Sequence, residues 1–239
     1  METLSNKIFL VGGGAGEVGE GITRQLMRAG ATVVIPTRYP EKIKAFQHTL
    51  PESGRLITVE GNVGDPKDAE RVRDEVINKT RVLNAVVASL GGWFQGTNLT
   101  DLSLDLWTKA LDNNLTPHFL FAKTFLPLIA DSYDSTYTMI NGGSALIPFP
   151  TGGHISIAAS AQIMMKNVLT MENKDKPVRI NTLVLATPIA TRSRSGSEPN
   201  WLTADEVGSY VTYLASNRGR NVQGETIVFD SRSQLSQIF

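Results

Sequence analysis

Between Val11 and Ile22 the chain reads V-G-G-G-A-G-E-V-G-E-G-I, directly after the apolar run Ile8-Phe9-Leu10-Val11. A strand that ends in residues without Cβ atoms lets backbone N–H groups and a helix N-terminus approach a phosphate closely. Gly14, Gly16 and Gly19 spell GxGxxG, a spacing that a chain with 21 glycines also produces by chance, so the flanks carry the reading. The dinucleotide fingerprint requires a strand before the loop, a helix after it and a second strand about 20 residues on. Ile22, Leu26, Met27 and Ala29 are apolar at helical spacing, Gly30 stops the helix, and Ala31-Thr-Val-Val-Ile35 is the next strand.

The residues that end this second strand select the nucleotide. Sites for NAD place an acid there for the ribose 2′-hydroxyl, whereas sites for NADP omit that charge and supply an arginine for the 2′-phosphate. Here stand Thr37 and Arg38, with Lys42 and Lys44 close in sequence. A guanidinium is a permanently charged, forked donor suited to phosphate. The expected cofactor is NADP(H).

Composition excludes several rivals. With 239 residues, 41% hydrophobic and 19% charged, the chain can bury the core of one α/β domain, and no linker or charge run divides residues 1–239. Formal net charge is zero, so neither nucleic acid nor an anionic membrane is expected as a partner. Cysteine is absent, which removes disulfides, thiolate nucleophiles and Cys-ligated zinc. His48, His118 and His154 are scattered without metal-ligand spacing, so no metal is expected. No apolar run approaches a membrane span and no signal-peptide pattern opens the chain, which points to a cytoplasmic protein.

Strand and helix alternate beyond the loop. Leu56 to Glu60 and Val82 to Ala88 read as buried parallel strands around a polar helix from Pro66 to Lys79. A long apolar helix runs from Leu104 to about Ala130, interrupted by Pro117 beside Asn113-Asn114. Strands at Thr136 to Ile140, Val178 to Leu185 and Glu225 to Phe229 enclose helices at Ser156 to Met171 and Thr203 to Ser216. Regular alternation implies βαβ crossovers and a doubly wound α/β fold, a seven-stranded parallel sheet flanked by helices.

At this point the residues resemble the short-chain dehydrogenase/reductase family over almost the whole chain. Gly12 to Gly19 fits the T-G-x-x-G-x-x-G form of its loop with Gly12 where Thr is usual, and the cofactor-binding positions are then Gly13, Gly16, Val18 and Gly19. Against the commoner T-G-x-x-x-G-x-G form, Glu17 falls where a glycine is expected. Asn62-Val63 lies where the family carries an Asp-Val pair against adenine. Ala88-Ser89-Leu90-Gly91 replaces N-N-A-G, and Pro188-Ile189-Ala190-Thr191 resembles the P-x-x-T segment beside the nicotinamide. Asn114 matches the asparagine that anchors a water of the proton relay, and Ser144, in I-N-G-G-S, resembles the serine that hydrogen-bonds the substrate carbonyl. The resemblance implies a single NAD(P)-binding Rossmann domain over residues 1–239, in which Arg38 selects NADP(H). It also implies a homodimer or homotetramer formed through the two long helices.

The departure lies at the centre of the chemistry. The family's Tyr-x-x-x-Lys falls on Ser156 and Ser160 within H-I-S-I-A-A-S-A, and nothing else in the chain spells it. Hydride addition to a carbonyl leaves an alkoxide that needs a proton, which a phenol with a lowered pKa supplies. Serine hydroxyls are too weakly acidic to replace it. His154, two residues before Ser156, is the only histidine near the expected site, and imidazole is a side chain suited to acid–base work. Lys166 belongs to a different helix face from Ser160. Three readings stand: an NADP(H)-dependent oxidoreductase acting on a small carbonyl, imine or conjugated substrate; an NADP(H)-binding sensor or inactive partner; and a non-redox dehydratase, isomerase or cyclase using Ser144, His154 and Asn114. The polar stretch from Arg192 to Trp201 reads as a substrate lid or a solvated loop.

Overall fold

Strand and helix follow one another from the first turn onward in the computed structural model, which describes residues 3–52, 54–129, 131, 132, 134–194, 198 and 200–238. β1 (Ile8–Gly12), α1 (Glu17–Arg28), β2 (Thr32–Thr37), α2 (Glu41–Gln47), β3 (Arg55–Glu60), α3 (Pro66–Thr80) and β4 (Ala85–Ala88) form the first half. The second half holds α4 (Leu104–Asn114), α5 (Thr116–Phe125), β5 (Thr136–Gly142), α6 (Gly153–Glu172), β6 (Arg179–Leu185), β7 (Ile189–Ala190) and β8 (Leu202–Thr203). α7 (Ala204–Ala215), β9 (Thr226–Phe229) and α8 (Ser233–Ile238) complete it. Seven strands make one sheet in the order β3-β2-β1-β4-β5-β6-β9, every pairing parallel.

Burial on both faces explains why β1, β2 and β4 are unbroken apolar runs rather than alternating ones. Successive side chains of β1 enter opposite layers. Phe9 and Val11 join Ile22, Leu26, Val33, Val211 and Phe229 on the α1/α7 side. Leu10 joins Val34, Val72, Phe121, Phe125 and Tyr137 on the α3/α5 side. Strand order reverses between β1 and β4, which pair from Phe9↔Ala85 to Gly12↔Ala88. A crevice therefore opens beyond the carboxyl ends of these two strands, where doubly wound sheets bind ligands.

Local chemistry fixes the helices beside that crevice. Asp65 and Ser103 cap α3 and α4 by accepting the N–H groups of Asp68 and Leu106, and Thr203 with Glu206 forms a capping box on α7. α1 packs on α7 through Gly21 and Gly208; a Cβ at Gly208 would lie 2.4 Å from the Gly21 carbonyl oxygen. Asp205 then pairs with Arg24 at 2.7 Å and Arg28 at 2.9 Å.

Several boundaries differ from the sequence reading. The long helix is two helices, α4 and α5, that meet at Leu115, with Pro117 in the first turn of α5, where its missing N–H costs nothing. Ala130, its expected end, lies outside the described residues. α6 starts at Gly153 and β5 runs on to Gly142. Among the described residues no helix is long and apolar enough to cross a membrane.

His118 on α5 is fully buried and its Nε2 donates to the Leu90 carbonyl at 3.1 Å, bracing the turn after β4. That carbonyl needs a donor, so Nε2 carries the proton and Nδ1 is a bare acceptor with no partner among the described groups. Burial pushes its pKa down to about 4. The unfolded chain, titrating near 6.5, binds more protons between these values, so stability is present above pH 6.5 and lost as pH falls toward 4. The expected loss is about 3 kcal/mol across that window. Thermal melts of His118→Gln, which keeps a donor but does not titrate, should show a flatter dependence from pH 6.5 to 4 than the natural protein.

Candidate active site and nucleotide cleft

The loop after β1 is built on close backbone approach. Gly13 has φ +76°, and a Cβ there would lie 1.9 Å from the Ser89 carbonyl oxygen; a Cβ at Gly19 would lie 2.1 Å from the Gly13 carbonyl oxygen. Neither position admits a side chain. Gly16 caps α1 without a side chain, so the N–H groups of its first turn have no side-chain partner at the cap.

Two cavities meet over this loop and share Gly13, Gly16, Ser89, Gly91 and Trp93. The first, of about 760 Å³, includes Thr37, Arg38, Tyr39, Lys42, Asn62 and Val63 in its wall. Arg38 and Lys42 both lie over the Tyr39 ring, at 5.3 and 4.8 Å from its centroid. Among the described residues no carboxylate pairs with either. Thr37 Oγ1 accepts the Tyr39 N–H at 3.1 Å, and Asn62 Oδ1 accepts the Gly64 N–H at 3.0 Å, so both side chains are held in place. Ala88 is different: it is fully buried in the sheet and stands behind the cavity wall, because its strand position opposite Gly12 faces the α3/α5 core.

The second cavity, of about 740 Å³, is lined by Val18, Gly19, Asn114, Ser144, Pro188, Ile189 and Thr191 together with apolar groups such as Ile140, Ile147 and Phe149. Trp93 packs edge-on to Phe149 at 5.0 Å. Asn114 ends α4 with its Oδ1 accepting the Gly92 N–H at 2.9 Å and its backbone carbonyl accepting Gln162 Nε2 at 2.5 Å. That carbonyl, freed by the break between α4 and α5, is thereby taken by a side chain of α6. Sequence reasoning passed over Gln162, since no motif marks it.

The α6 residues that line the cavity are Ile155, Ala159 and Gln162, one face at i, i+4 and i+7. Ser156 and Ser160, on which the Tyr-x-x-x-Lys count fell, are turned off it. The Ser156 hydroxyl donates to the Gly152 carbonyl at 3.4 Å and the Ser160 hydroxyl to the Ala145 carbonyl at 2.8 Å. The face shifts the count by one residue, onto an isoleucine and an alanine. Gly142, thirteen positions before Ile155, lines the same cavity, and a Cβ there would meet nothing nearer than Ser144 Oγ at 3.9 Å. The three cavity-facing positions therefore carry neither hydroxyl nor amine.

Among the described residues no neighbouring acid fills the gap. His154 is buried behind the wall, its ring 4.6 Å from that of Phe94 and both nitrogens without partners among the described groups. Lys166 is buried and donates to the Gly224 carbonyl at 2.6 Å; burial lowers its pKa. Tyr137 is fully buried in β5, and burial pushes its phenol well above the usual range. Glu17 does line the cavity, and its carboxylate accepts Thr191 Oγ1 at 2.5 Å. Hydrogen bonds from Ser193 and Thr191, aided by Arg192 and Arg194, hold its pKa below the usual carboxylate range against the opposing effect of burial, so it is an anion and not a proton donor.

Residues 13–231 match the family described as Enoyl-(Acyl carrier protein) reductase. The chain belongs to the short-chain dehydrogenase/reductase family. It is similar to dehydrogenase/reductase SDR family member 4 of Bos taurus, at 25% identity over 94% of this chain and 86% of that protein. It is also similar to the 7alpha-hydroxysteroid dehydrogenase of Bacteroides fragilis, at 22% identity over 96% and 95%. A short-chain type dehydrogenase/reductase from Mycobacterium ulcerans superposes with a TM-score of 0.88 at 21% identity, covering 98% of this chain and 91% of that one. These short-chain dehydrogenase/reductase relatives support an oxidoreductase that binds a nicotinamide cofactor. The glycine loop is compatible with such a cofactor: Gly13 and Gly19 admit no Cβ and Gly16 leaves the first turn of α1 without a side-chain cap, with the Glu17 carboxylate on the same cavity wall.

Proposed function

We propose that this chain is an NADP(H)-dependent oxidoreductase whose substrate needs no side-chain acid at the reacting atom. The observation that carries the reading is the meeting of two cavities over the glycine loop, one ending in Arg38 and Lys42, the other in the apolar face of α6. When bound, the nicotinamide supplies or accepts hydride. Gly13, Gly16 and the first turn of α1 bind the pyrophosphate, and Thr37, Arg38 and Lys42 take the 2′-phosphate. Asn62 and Val63 border the adenine, while Pro188, Ile189 and Thr191 border the nicotinamide. Trp93, Ile147, Phe149 and Ile155 give the cavity an apolar wall that favours an apolar substrate.

The substrate class follows from the missing acid. Reduction of a simple ketone needs a proton at oxygen, and losing a positioned donor costs roughly 10²–10⁴-fold. Hydride addition to an iminium cation gives a neutral amine and needs no proton. Addition to a conjugated carbonyl leaves an enolate whose charge is delocalised onto oxygen, where Ser144 can donate a hydrogen bond, and whose proton then comes from solvent water. Positioning still contributes in both cases. The same apolar replacements also favour a second reading, an NADP(H)-binding protein without turnover. The non-redox reading loses its base, since His154 lies behind Phe94. For assembly, the exposed stripe of Ile157, Met164, Val168 and Met171 on α6, with Leu104 and Phe119, is the surface that would pair with a second copy.

Fluorescence titration with NADPH and NADH tests the cofactor. Arg38→Glu should weaken NADPH about tenfold or more and leave NADH nearly unchanged; equal losses would refute the phosphate role. Absorbance assays with a carbonyl and imine panel test the chemistry. Ile155→Tyr combined with Ala159→Lys should raise carbonyl reduction by about 10²-fold or more, whereas Ser156→Tyr with Ser160→Lys should not. NADPH binding with no oxidation by any substrate would favour the second reading.

A further inference from the structure

Glu17 is the first residue of α1, in the turn that seats a dinucleotide pyrophosphate. It lines the cavity together with Gly13, Gly16 and Gly19. Its carboxylate accepts hydrogen bonds from Thr191, at 2.5 Å, and from Ser193. In the next position facing that segment, Glu20 pairs with Arg192 at 3.3 Å, although Glu20 itself is buried. Arg194 lies on the cavity wall, donates to the Ile189 carbonyl at 3.3 Å and stands over the Trp201 ring at 5.7 Å. The segment after β7 is thus fastened to the first turn of α1 by carboxylates on one side and hydroxyls and guanidinium groups on the other.

A helix N-terminus favours negative charge, and here the chain provides that charge itself. A pyrophosphate arriving at the same turn meets a like charge in a partly enclosed cleft, where screening is weaker than in bulk water. We propose that Glu17 is the affinity-setting residue of the glycine loop, an intramolecular competitor that must leave Thr191 and Ser193 before a dinucleotide seats. This rests on the dinucleotide reading above. Two consequences follow from the geometry. Dinucleotide binding is weakened by the carboxylate whichever nicotinamide cofactor is offered, because the pyrophosphate is common to both. Binding also releases Thr191 and Ser193, so occupancy of the loop and opening of residues 191–194 are one event.

Isothermal titration of the natural protein, Glu17→Gln and Glu17→Gly with NADPH, NADH and adenosine 2′-monophosphate separates the possibilities. Glutamine keeps acceptor capacity toward Thr191 and Ser193 but removes the charge. Both variants should bind NADPH and NADH about tenfold more tightly, with adenosine 2′-monophosphate, which lacks a pyrophosphate, unchanged. Unchanged or weaker dinucleotide binding in the variants would overturn the role of Glu17 while leaving the dinucleotide reading in place. Equal tightening toward adenosine 2′-monophosphate would also overturn it, since the effect would then not act at the pyrophosphate. Absence of dinucleotide binding in all three proteins would overturn the dinucleotide reading and the role of Glu17 with it.

Discussion

The structure depends on backbone reaching backbone at the end of β1. A Cβ at Gly13 would strike the Ser89 carbonyl, and one at Gly19 would strike the Gly13 carbonyl, so the loop, the end of β4 and α1 interlock only because these positions have no side chains. This contact lies at the point where strand order reverses and the crevice opens. Everything that approaches the crevice is placed relative to it: the turn after β4 that His118 braces, the end of α4 that carries Asn114, and the segment after β7 that meets Glu17.

The scaffold presents a glycine loop at one end of the crevice and an apolar face of α6 at the other. Ile155, Ala159 and Gly142 face the cavity where a proton relay would need hydroxyl and amine groups. Gln162 takes the Asn114 carbonyl that the break between α4 and α5 exposes. This amide pairing is neutral and satisfied at the nitrogen, so it stabilises the helix junction without offering a titratable group. The carboxylate in the cavity sits instead at the loop, in Glu17, which shares the wall with Arg194 and is held ionised by the hydroxyls and guanidinium groups of the opposite segment.

Much of the fold was legible in the sequence because its signals are local. The apolar runs of β1, β2 and β4, the glycine spacing and the alternation of strand and helix each follow from the chemistry of short windows. Arg38 at the end of β2 could be placed for the same reason: a strand of known length ends where its apolar run ends. The long apolar segment after Leu104 was harder. Its residues favour helix on either side of Leu115, and proline in a first turn is tolerated, so Pro117 marked the break only to within two residues.

Sequence alone determined that this chain is a doubly wound sheet with a glycine loop closing its first strand, since glycine positions and apolar periods are properties of neighbours along the chain. Which face of α6 looks into the cavity was decided only in three dimensions. Ala158 and Ala159 are alike, and Ser156 and Ser160 keep the motif spacing, so counting cannot tell one helix face from the next. The rotation of α6 is fixed by partners distant in sequence: the Ser160 hydroxyl reaches the Ala145 carbonyl, Asn141 Nδ2 donates to the Ala159 carbonyl, and Gln162 reaches Asn114. The direction of the Glu17 carboxylate was decided in the same way, by Thr191, 174 residues further along the chain.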